Sequence, residues 1–294
     1  MAFDDLMGTA MRLVVQTEAL AALAARLQLA ADSAEGDAAI SPLLAHVSDV
    51  LGARLDGVTP EEMRLIANTA RGFLLQAADL LADPARAPGW TYEDPNVLQS
   101  QGGGSAAFPG VVRQISPPPE GLEERLARPG ARFLDIGTGV ARLAISVCRA
   151  WPTLSVVGLD PWEPSLALAR RNIAEANLGA RIELRAIGIE DLTEEATFDL
   201  AWLPGPFLPA AVLATACARV RRALAPGGWA VLGLFAGPPD PLARAVTDLR
   251  IVRSGGCLLD GAAGERLFRD AGFETVRAVT RTWNAPMELV IARR

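Results

Sequence analysis

The hydrophobic positions of the first eighty or so residues repeat with the period of an α-helix. Between residues 4 and 31, apolar or small side chains recur at alternating steps of four and three, which predicts one long amphipathic helix. These positions are Leu6, Ala10, Leu13, Thr17, Leu20, Ala24, Leu27 and Ala31. Two further helices are predicted at 41–54 and 60–82, the second with Thr59 as its N-cap and Pro60 in its first turn. The stripe of the first helix is expected to pack within its own domain, with a dimer seam as the alternative.

From Gly121 onward, short apolar runs alternate with helical patterns. The predicted strands lie at 131–137, 154–160, 181–187, 198–203 and 226–235. The predicted helices between them lie at 140–150, 164–176 and 210–224. Because strands that alternate with helices form a parallel sheet covered on both faces, this part is predicted to be an α/β domain with a doubly wound sheet. A helix at 263–273 then precedes strands at 274–283 and 286–293, whose short connection at 284–286 predicts a terminal antiparallel hairpin.

The stretch between these two parts is rich in proline, glycine and aromatic residues. An interdomain linker is the plain interpretation, but Trp90, Tyr92 and Phe108 would give it more apolar surface than a free linker exposes. Long loops of this kind often cover a binding site, so a lid is favoured over a passive linker. The triple glycine at 102–104 is interpreted as a hinge. The predicted organisation is an all-helical N-terminal cap (1–88), the linker or lid (89–120) and the sheet domain (121–294).

The composition removes several kinds of chemistry. All 28 basic residues of this 294-residue chain are arginine, and the chain has one histidine and one tyrosine. Without lysine there is no Schiff base, no phosphate-binding lysine of the P-loop type and no lysine general base. The formal net charge of −6 argues against a protein that binds nucleic acid through a broad basic surface.

The cysteines and the N-terminal residues predict a cytoplasmic protein without a metal site. The three cysteines are Cys148, Cys217 and Cys257. Their wide spacing fits neither a metal site nor a disulfide framework, which suits a reducing compartment. The first residues, MAFDDL, are acidic, so no signal peptide is expected. The apolar region that follows is interrupted by Arg12, Glu18 and Arg26, and it is not expected to span a membrane.

The first predicted strand ends in a turn with two alternating glycines and an acid, in the segment FLDIGTGVAR. A glycine turn between a strand and a helix commonly binds a ligand at the N-terminus of that helix. A dinucleotide site requires a third glycine where this chain has Arg142, and the carboxylate of Asp135 would repel a pyrophosphate. A ligand with a cationic head would be attracted by that carboxylate. The turn therefore favours a cationic nucleoside ligand over a dinucleotide.

This turn resembles the motif of the class I S-adenosylmethionine-dependent methyltransferases of the small-molecule type. The motif, an acid followed by alternating glycines, appears as DIGTGVA at 135–141, with Ala141 in place of the last glycine. Asp160, at the end of the second strand, the PGG at 226–228 and the terminal hairpin also resemble this family. The resemblance covers about residues 121–294. It implies a Rossmann-like fold, S-adenosylmethionine as the cofactor and methyl transfer as the reaction.

The resemblance also implies a role for each matching position. The backbone of Gly137 and Gly139 would approach the methionine portion of the cofactor, and Asp135 would lie near its ammonium group. Asp160 would accept hydrogen bonds from both ribose hydroxyls, and Trp162 would lie against the adenine. The predicted cofactor-binding residues are Asp135, Gly137, Thr138, Gly139, Asp160, Pro161, Trp162, Ile189, Glu190, Asp191, Leu203 and Gln101.

The adenine-binding turn departs from the family pattern. After the third strand the chain reads AIGIEDL, with Gly188 where the family often has an acid. The contact to the adenine amino group is then left to Glu190, to Asp191 or to the backbone of Ile189. These alternatives stay open.

The turn after the fourth strand, LPGPF at 203–207, leads to the prediction for the methyl acceptor. Family members that methylate amide or base nitrogens resemble one another in an Asn-Pro-Pro-aromatic turn here, and this chain has no amide side chain at that place. The apolar turn therefore favours a hydrophobic or aromatic small molecule. The predicted acceptor-binding residues are Trp90, Tyr92, Phe108, Trp202, Pro204 and Phe207.

Few side chains are available for acid–base chemistry. Methyl transfer is an in-line displacement in which orientation and the exclusion of water matter most. His46 is predicted to be a general base if the helical region covers the cleft, with a packed or solvated role as the alternative. Gln101, Tyr92 and Arg113 are further candidates for contacts to the substrate or to the cofactor carboxylate. Oxygen is the favoured target atom, with carbon and nitrogen open.

Two other functions compete with methyl transfer. A relative that binds the cofactor without methylating, as a regulator or as a catalyst of cyclisation, would carry the same motif. A nicotinamide-dependent oxidoreductase would use the same sheet, but Asp135 and Arg142 argue against it. The chain also lacks the Tyr-x-x-x-Lys pair of the short-chain reductases, since it contains no lysine.

Overall fold

The computed structural model describes residues 2–235, 237, 239–283 and 287–294. These residues form two compact units. The first unit contains residues 2–84 and 94–103, and the second contains residues 85–93 and 104–294. The chain therefore enters the second unit at residue 85, returns to the first unit at residue 94 and enters the second unit again at residue 104. The predicted linker or lid is thus divided between the two units.

The first unit is helical in its described residues. Its helices are α1 (Ala2–Ala31), α2 (Ser41–Val50), α3 (Pro60–Ala82) and α4 (Pro95–Gly103). A capping box starts α3: the Thr59 hydroxyl accepts from the Glu62 amide at 3.3 Å, and the Glu62 carboxylate accepts from the Thr59 amide at 2.8 Å. α2 ends before the predicted residue 54 because Gly52, with a φ of +69°, turns the chain out of the helix.

The apolar stripe of α1 divides into two halves. Leu27 and Ala31 are buried against Met63 and Ala67 of α3. The N-terminal half is uncovered, and its exposed large apolar residues are Phe3, Leu6, Met7, Met11, Leu13, Val14, Val15 and Leu20. Among the described residues, α1 is also the one helix long and apolar enough to cross a membrane, a test that core helices of other proteins also pass.

The second unit combines a sheet with helices on both faces. Its strands are β1 (Arg132–Ile136), β2 (Ser155–Leu159), β3 (Ile182–Arg185), β4 (Phe198–Pro204), β5 (Leu224–Phe235), β6 (Thr275–Val279) and β7 (Met287–Arg293). Its helices are α5 (Phe108–Arg113), α6 (Leu122–Ala127), α7 (Arg142–Ala150), α8 (Glu163–Glu175), α9 (Ala210–Ala223), α10 (Pro241–Arg253) and α11 (Gly261–Asp270).

The strand order of this sheet is β3-β2-β1-β4-β5-β7-β6. The first five strands pair in parallel, and β7 pairs antiparallel with both β5 and β6. The doubly wound, mostly parallel sheet with a terminal antiparallel hairpin is thereby confirmed, while the predicted hairpin turn at 284–286 lies outside the described residues. Alternate side chains of each strand enter two hydrophobic clusters, as Phe133 and Leu134 of β1 do, which places one core on each face.

Much of the predicted loop between the helical and sheet regions is helical instead. α4, a 3₁₀ turn at Gly104–Ala107 and α5 follow one another without a gap. The triple glycine therefore lies at the end of a helix, where the chain passes from the first unit to the second, and its interpretation as a hinge stays a prediction. The helical conformation of α4 is accompanied by close packing against α3. A Cβ at Gly72 of α3 would lie 1.8 Å from the Ser100 hydroxyl of α4. The sequence pattern also missed α6 and α10.

Candidate functional site

The carboxyl ends of β1, β2, β4 and β5 lie at one edge of the sheet. β1 and β4 are neighbours at its centre, and the chain order runs outward from them in opposite directions. Open parallel sheets bind ligands in the crevice at such a switch point. The turns after β1, β2 and β4, which contain most of the predicted ligand contacts, border this crevice.

The turn after β1 requires its glycines. Gly137 and Gly139 have φ angles of +62° and +55°, in the left-handed region that favours glycine. A Cβ at Gly137 would also lie only 3.1 Å from Cγ of Pro204. Ala141, in place of the last glycine of the motif, has a φ of +62°, a conformation that costs an alanine roughly 1–2 kcal/mol. The replacement of that glycine is therefore less mild than its small size suggests.

Asp135 is a buried carboxylate at the end of β1. It is 1% exposed, and its Oδ2 accepts a hydrogen bond from the Thr138 hydroxyl at 2.8 Å. Burial raises the pKa of Asp135 to about 7; the Thr138 bond opposes this shift and the nearby Asp160 adds to it. No arginine contributes to the pKa of either carboxyl, so within the described residues their charge has no cationic partner. A ligand with a positive charge would supply one.

Asp160 joins the turn after β1 to the turn after β2. Its two oxygens accept from the backbone amides of Gly139 at 2.9 Å and Trp162 at 2.8 Å. The residue is 8% exposed, and burial raises its pKa while the two amide bonds act in the opposite direction. Because a carboxylate has about four acceptor positions, roughly two are left for donors such as ribose hydroxyls. Pro161, between these residues, is exposed.

The predicted adenine-binding turn is a 3₁₀ turn at Ile189–Asp191. Ile189 is buried, whereas Glu190 and Asp191 are exposed. The side chain of Glu190 folds back over Gly188, and its Oε2 lies 2.5 Å from the point that a Cβ at Gly188 would occupy. Of the three alternatives, Glu190 therefore has its carboxylate beside the position where the family often carries an acid.

Residues Ala85–Glu93, which we call the strap, belong to the same unit as the sheet. The indole Nε1 of Trp162 donates a hydrogen bond to the carbonyl oxygen of Tyr92 at 2.8 Å. The amide of Gly89 donates to the carbonyl oxygen of Arg253, the last residue of α10, at 3.0 Å. The strap is therefore tied both to the turn after β2 and to the end of α10.

Four aromatic rings, which we call the aromatic wall, follow one another at this edge of the sheet. They are Trp90 and Tyr92 of the strap, Phe207 after β4 and Phe235 at the end of β5. The ring centroids are 5.2 Å apart for Tyr92 and Trp90, 5.9 Å for Trp90 and Phe207, and 6.1 Å for Phe207 and Phe235, all edge-to-face. Phe207 and Phe235 are each 39% exposed. The sequence pattern did not single out Phe235, although a residue at the carboxyl end of a parallel strand is a candidate for ligand contact.

Three of the predicted ligand contacts are core residues in the structure. Phe108 is fully buried, and its ring centroid lies 5.0 Å from that of Trp202. The indole of Trp202 covers Gly233 so closely that a Cβ there would overlap it. Leu203 is fully buried in the cluster on the opposite face of the sheet. The alternation of side chains along β4 places Trp202 and Leu203 in the two different cores, and their contacts to a ligand stay predictions.

The remaining candidates lie elsewhere. Arg113 donates to Glu123 at 3.1 Å, and its guanidinium carbon lies 4.7 Å from the centroid of the Trp151 ring. Trp151 follows the last residue of α7, whereas the glycine turn precedes the first residue of that helix. Arg113 therefore contacts the end of α7 that is remote from the turn, and its role in binding the cofactor carboxylate stays a prediction. His46, exposed on α2, and Gln101, on α4, are in the helical unit, and their roles stay predictions.

Residues 133–228 match the family model of a methyltransferase domain. A release factor glutamine methyltransferase of Gloeobacter violaceus is 30% identical over 55% of this chain and 58% of its own length. A ubiquinone biosynthesis O-methyltransferase of Hahella chejuensis is 39% identical over 34% of this chain and 43% of its own length. Residues 133–228 of this chain are therefore similar to methyltransferase domains.

The similarity to methyltransferase domains implies S-adenosylmethionine as the cofactor. The crevice fits such a molecule on two grounds. The glycine turn allows close approach of a ligand to its backbone, because both glycines have positive φ angles. The carboxylates of Asp135 and Asp160 provide buried negative charge and hydrogen-bond acceptors without an arginine partner in the described residues. These features suit a cationic nucleoside.

Solved structures share the fold of this chain over nearly its whole length. An O-methyltransferase family protein from Burkholderia thailandensis has a TM-score of 0.67 and 18% identity, covering 100% of this chain and 98% of its own. PigF with SAH has a TM-score of 0.64 and 20% identity, covering 99% of both chains. At these identities the likeness establishes the fold alone. The chain spans about half the length of the curated relatives that it matches.

Proposed function

We propose that the protein is an S-adenosylmethionine-dependent methyltransferase that acts on a hydrophobic or aromatic small molecule. Oxygen is the favoured target atom, with carbon and nitrogen as the alternatives. The observation that carries the proposal is the combination of two surfaces at one edge of the sheet. Buried carboxylates follow β1 and β2, and the aromatic wall follows β4 and β5. The first suits a cationic cofactor, and the second suits a flat, apolar acceptor.

At the cofactor end, the protein acts through charge and backbone shape. When bound, S-adenosylmethionine supplies a methyl group on a positively charged sulphur. Asp135 is proposed to face the ammonium group of the methionine portion, beside the backbone of Gly137 and Gly139. Asp160 is proposed to accept the ribose hydroxyls, and Glu190 to accept the adenine amino group. The absence of an arginine partner for Asp135 among the described residues favours a cation over a pyrophosphate.

At the acceptor end, the aromatic wall is proposed to hold a planar ring. The partly exposed rings of Phe207 and Phe235 would each pair with it, and such pairs contribute roughly 0.5–1.5 kcal/mol beyond the buried area. Pro204, at the end of β4, borders Gly137 of the glycine turn. An acceptor against the wall would therefore have the methyl donor beside it.

The proposed reaction is a single displacement. The acceptor oxygen would take the methyl group, the sulphur of S-adenosylmethionine would keep the electron pair of the broken carbon–sulphur bond, and the hydroxyl proton would pass to a base or to water. Holding the reactants in line can contribute about 7–11 kcal/mol. A general base typically adds only about 10²–10⁴-fold, so an acidic phenol that is already ionised would need none. For other hydroxyl acceptors His46 is the proposed base.

The turn after β4 supports an apolar acceptor over an amide nitrogen. A release factor glutamine methyltransferase is among the relatives, but its name describes that protein. In this chain Gly205 and Pro206 are buried, and a Cβ at Gly205 would lie 2.8 Å from the carbonyl oxygen of Gly233. The turn therefore has neither an amide side chain nor room for one at Gly205.

We further propose that two copies of the chain associate through the N-terminal half of α1. Eight large apolar residues are exposed along this part of α1, and an exposed apolar patch of this kind is typical of an interface between proteins. Light scattering of the full chain is expected to give a dimer, and a variant with Leu6→Glu and Leu13→Glu a monomer. A monomeric native chain, or a dimer that the variant leaves intact, would contradict this proposal.

We also propose that the protein is cytoplasmic and that it has neither a nucleic-acid partner nor a membrane partner. The three cysteines are free, and two of them are buried, which supports a reducing compartment. The net charge of −6 supports the absence of a nucleic-acid partner.

Incubation with methyl-labelled S-adenosylmethionine and a panel of phenols, naphthols and hydroxyquinolines tests the function. Labelled product and an equal amount of demethylated cofactor are expected with at least one acceptor, and Phe207→Ala should slow the reaction by raising the acceptor KM. Cofactor binding without release of demethylated cofactor would instead support a regulator or a catalyst of cyclisation. Binding of reduced nicotinamide in place of S-adenosylmethionine would support an oxidoreductase.

A further inference from the structure

The strap has no regular secondary structure, so side-chain packing and separate hydrogen bonds hold it to its unit. Its middle is tied by the hydrogen bond from the Gly89 amide to the Arg253 carbonyl at 3.0 Å. Next to it, the ring of Trp90 packs edge-on against that of Phe207, with centroids 5.9 Å apart. Both contacts lie on the acceptor side of the crevice, near α10 and the turn after β4.

Another hydrogen bond to the strap comes from a residue that also belongs to the cofactor side. The backbone amide of Trp162 donates to Asp160 Oδ1 at 2.8 Å, which holds the residue in the turn after β2. Its indole Nε1 donates to the Tyr92 carbonyl, also at 2.8 Å. One side chain that the family resemblance predicts to lie against the adenine thus also holds the strap.

We infer that Trp162 is a positioning residue that couples occupation of the cofactor turn to the placement of the strap, so that Trp90 and Tyr92 complete the aromatic wall when the cofactor is bound. The inference rests on the proposed function, because it takes the turn after β2 as a cofactor site and the wall as an acceptor site. Trp162 would act on the acceptor through the strap and not by contact with the reacting atoms. Cofactor would therefore bind before acceptor.

The coupling has a simple physical basis. An irregular segment opens and closes with a free energy that its few contacts determine. A ligand against the face of the indole restricts rotation of the ring and keeps its N–H directed at Tyr92. Bound cofactor shifts the equilibrium of the strap toward its attached state by some factor. By thermodynamic linkage, attachment of the strap raises the affinity for the cofactor by the same factor. Loss of one such hydrogen bond changes an equilibrium by roughly 2- to 10-fold.

Amide hydrogen exchange of the strap in the full-length protein tests the inference, with S-adenosylhomocysteine as the probe. In the native chain, saturating S-adenosylhomocysteine is expected to slow exchange at Gly89 by about 2- to 10-fold. In Trp162→Phe, which keeps an aromatic ring but lacks the indole N–H, the ligand is expected to change that exchange less than about twofold. Calorimetry on the same samples verifies that each protein is saturated.

Trp283→Phe is the matched control. The indole Nε1 of Trp283 also donates to a backbone carbonyl at 2.8 Å, that of Met287, which lies outside the strap. This variant is expected to keep the slowing seen in the native chain. The inference is overturned if bound S-adenosylhomocysteine leaves strap exchange unchanged in the native chain, or if Trp162→Phe shows equal slowing. If calorimetry detects no binding to any of the three proteins, the proposed function fails as well, which distinguishes the two failures.

Discussion

Buried carboxylates lie at both edges of the sheet, and the chain surrounds them differently. At the amino edge, Asp199 is 2% exposed and accepts hydrogen bonds from the guanidinium groups of Arg125 and Arg128 and from a backbone amide. At the carboxyl edge, Asp135 and Asp160 are similarly buried, but their partners in the described residues are a hydroxyl and two backbone amides. The three carboxylates are therefore alike in burial and differ in the charge of the groups that donate hydrogen bonds to them.

The difference distinguishes a carboxylate that supports folding from carboxylates that bind. Removing one partner of a buried ion pair leaves an uncompensated charge, so a structural carboxylate is stabilising only when the chain supplies its cations. Asp199 has two, which join the region of α6 to the start of β4. A binding site for a cation needs the reverse arrangement, in which the ligand supplies the positive charge. The comparison therefore supports a role in stability for Asp199 at the amino edge and the proposed role in ligand binding for the carboxylates at the carboxyl edge.

The largest expected effect is on cofactor affinity at the carboxyl edge. Asp160→Ala removes the acceptor of both ribose hydroxyls, and hydrogen bonds to a charged group contribute about 1.5–3 kcal/mol each, so the affinity for S-adenosylmethionine should fall at least about a hundredfold. Isothermal titration calorimetry measures this. Tight binding that survives the substitution would contradict the assignment of the ribose site.

The next effect is on stability at the amino edge. Asp199→Asn keeps the shape of the side chain but removes the charge that pairs with Arg125 and Arg128. The free energy of unfolding should fall by about 2 kcal/mol, less than for a fully buried pair because Arg128 is half exposed. Urea unfolding measures it. Cofactor affinity of the folded variant should match that of the native chain, and a large loss of affinity would break the comparison.

A third expected effect is a pH dependence that separates the two edges. Because the pKa of Asp135 is raised to about 7, the free protein should lose stability as the pH rises from about 4 to about 7, where this buried group ionises. A cationic ligand favours the ionised form, so its affinity should rise with pH by up to about tenfold per unit below pH 7. Calorimetry in buffers of different ionisation enthalpy should detect proton release on binding.

Asp135→Asn is the control for this pH dependence. The variant has no ionisable group at that position, so both the change in stability and the change in affinity should disappear. The same pH series on Asp199→Asn should retain both. An unchanged pH profile in Asp135→Asn would show that another group is responsible.

Features that depend on local backbone geometry could be predicted from the sequence. The start of α3 at Pro60 could be predicted because Thr59 and Glu62 have the spacing of a capping box. The glycine turn could be predicted because its positive φ angles favour glycine, as at Gly137 and Gly139. Gly158 also gave a signal, as a glycine within a buried strand, and a Cβ there would lie 2.8 Å from the Thr138 hydroxyl.

Features that depend on packing between distant segments were predicted less well. Phe108 and Phe235 are both aromatic residues near apolar segments, yet the first is fully buried in the core and the second is 39% exposed at the sheet edge. No local pattern separates them, because the depth of a side chain depends on which elements cover it. The helices α4 and α5 were missed for a related reason, since their glycines and prolines are typical of loops.

By itself, the sequence determined the alternation of strands and helices, the reversed hairpin and the acidic glycine turn, because hydrophobic period and backbone conformation are properties of neighbouring residues. Only the tertiary structure decided which side chains meet at the carboxyl edge. The Trp162 indole reaches the Tyr92 carbonyl across 70 positions of the chain, and Trp90 meets Phe207 across a still longer separation. Contacts of this kind depend on how the strap packs on the completed sheet, and no local sequence pattern encodes that packing.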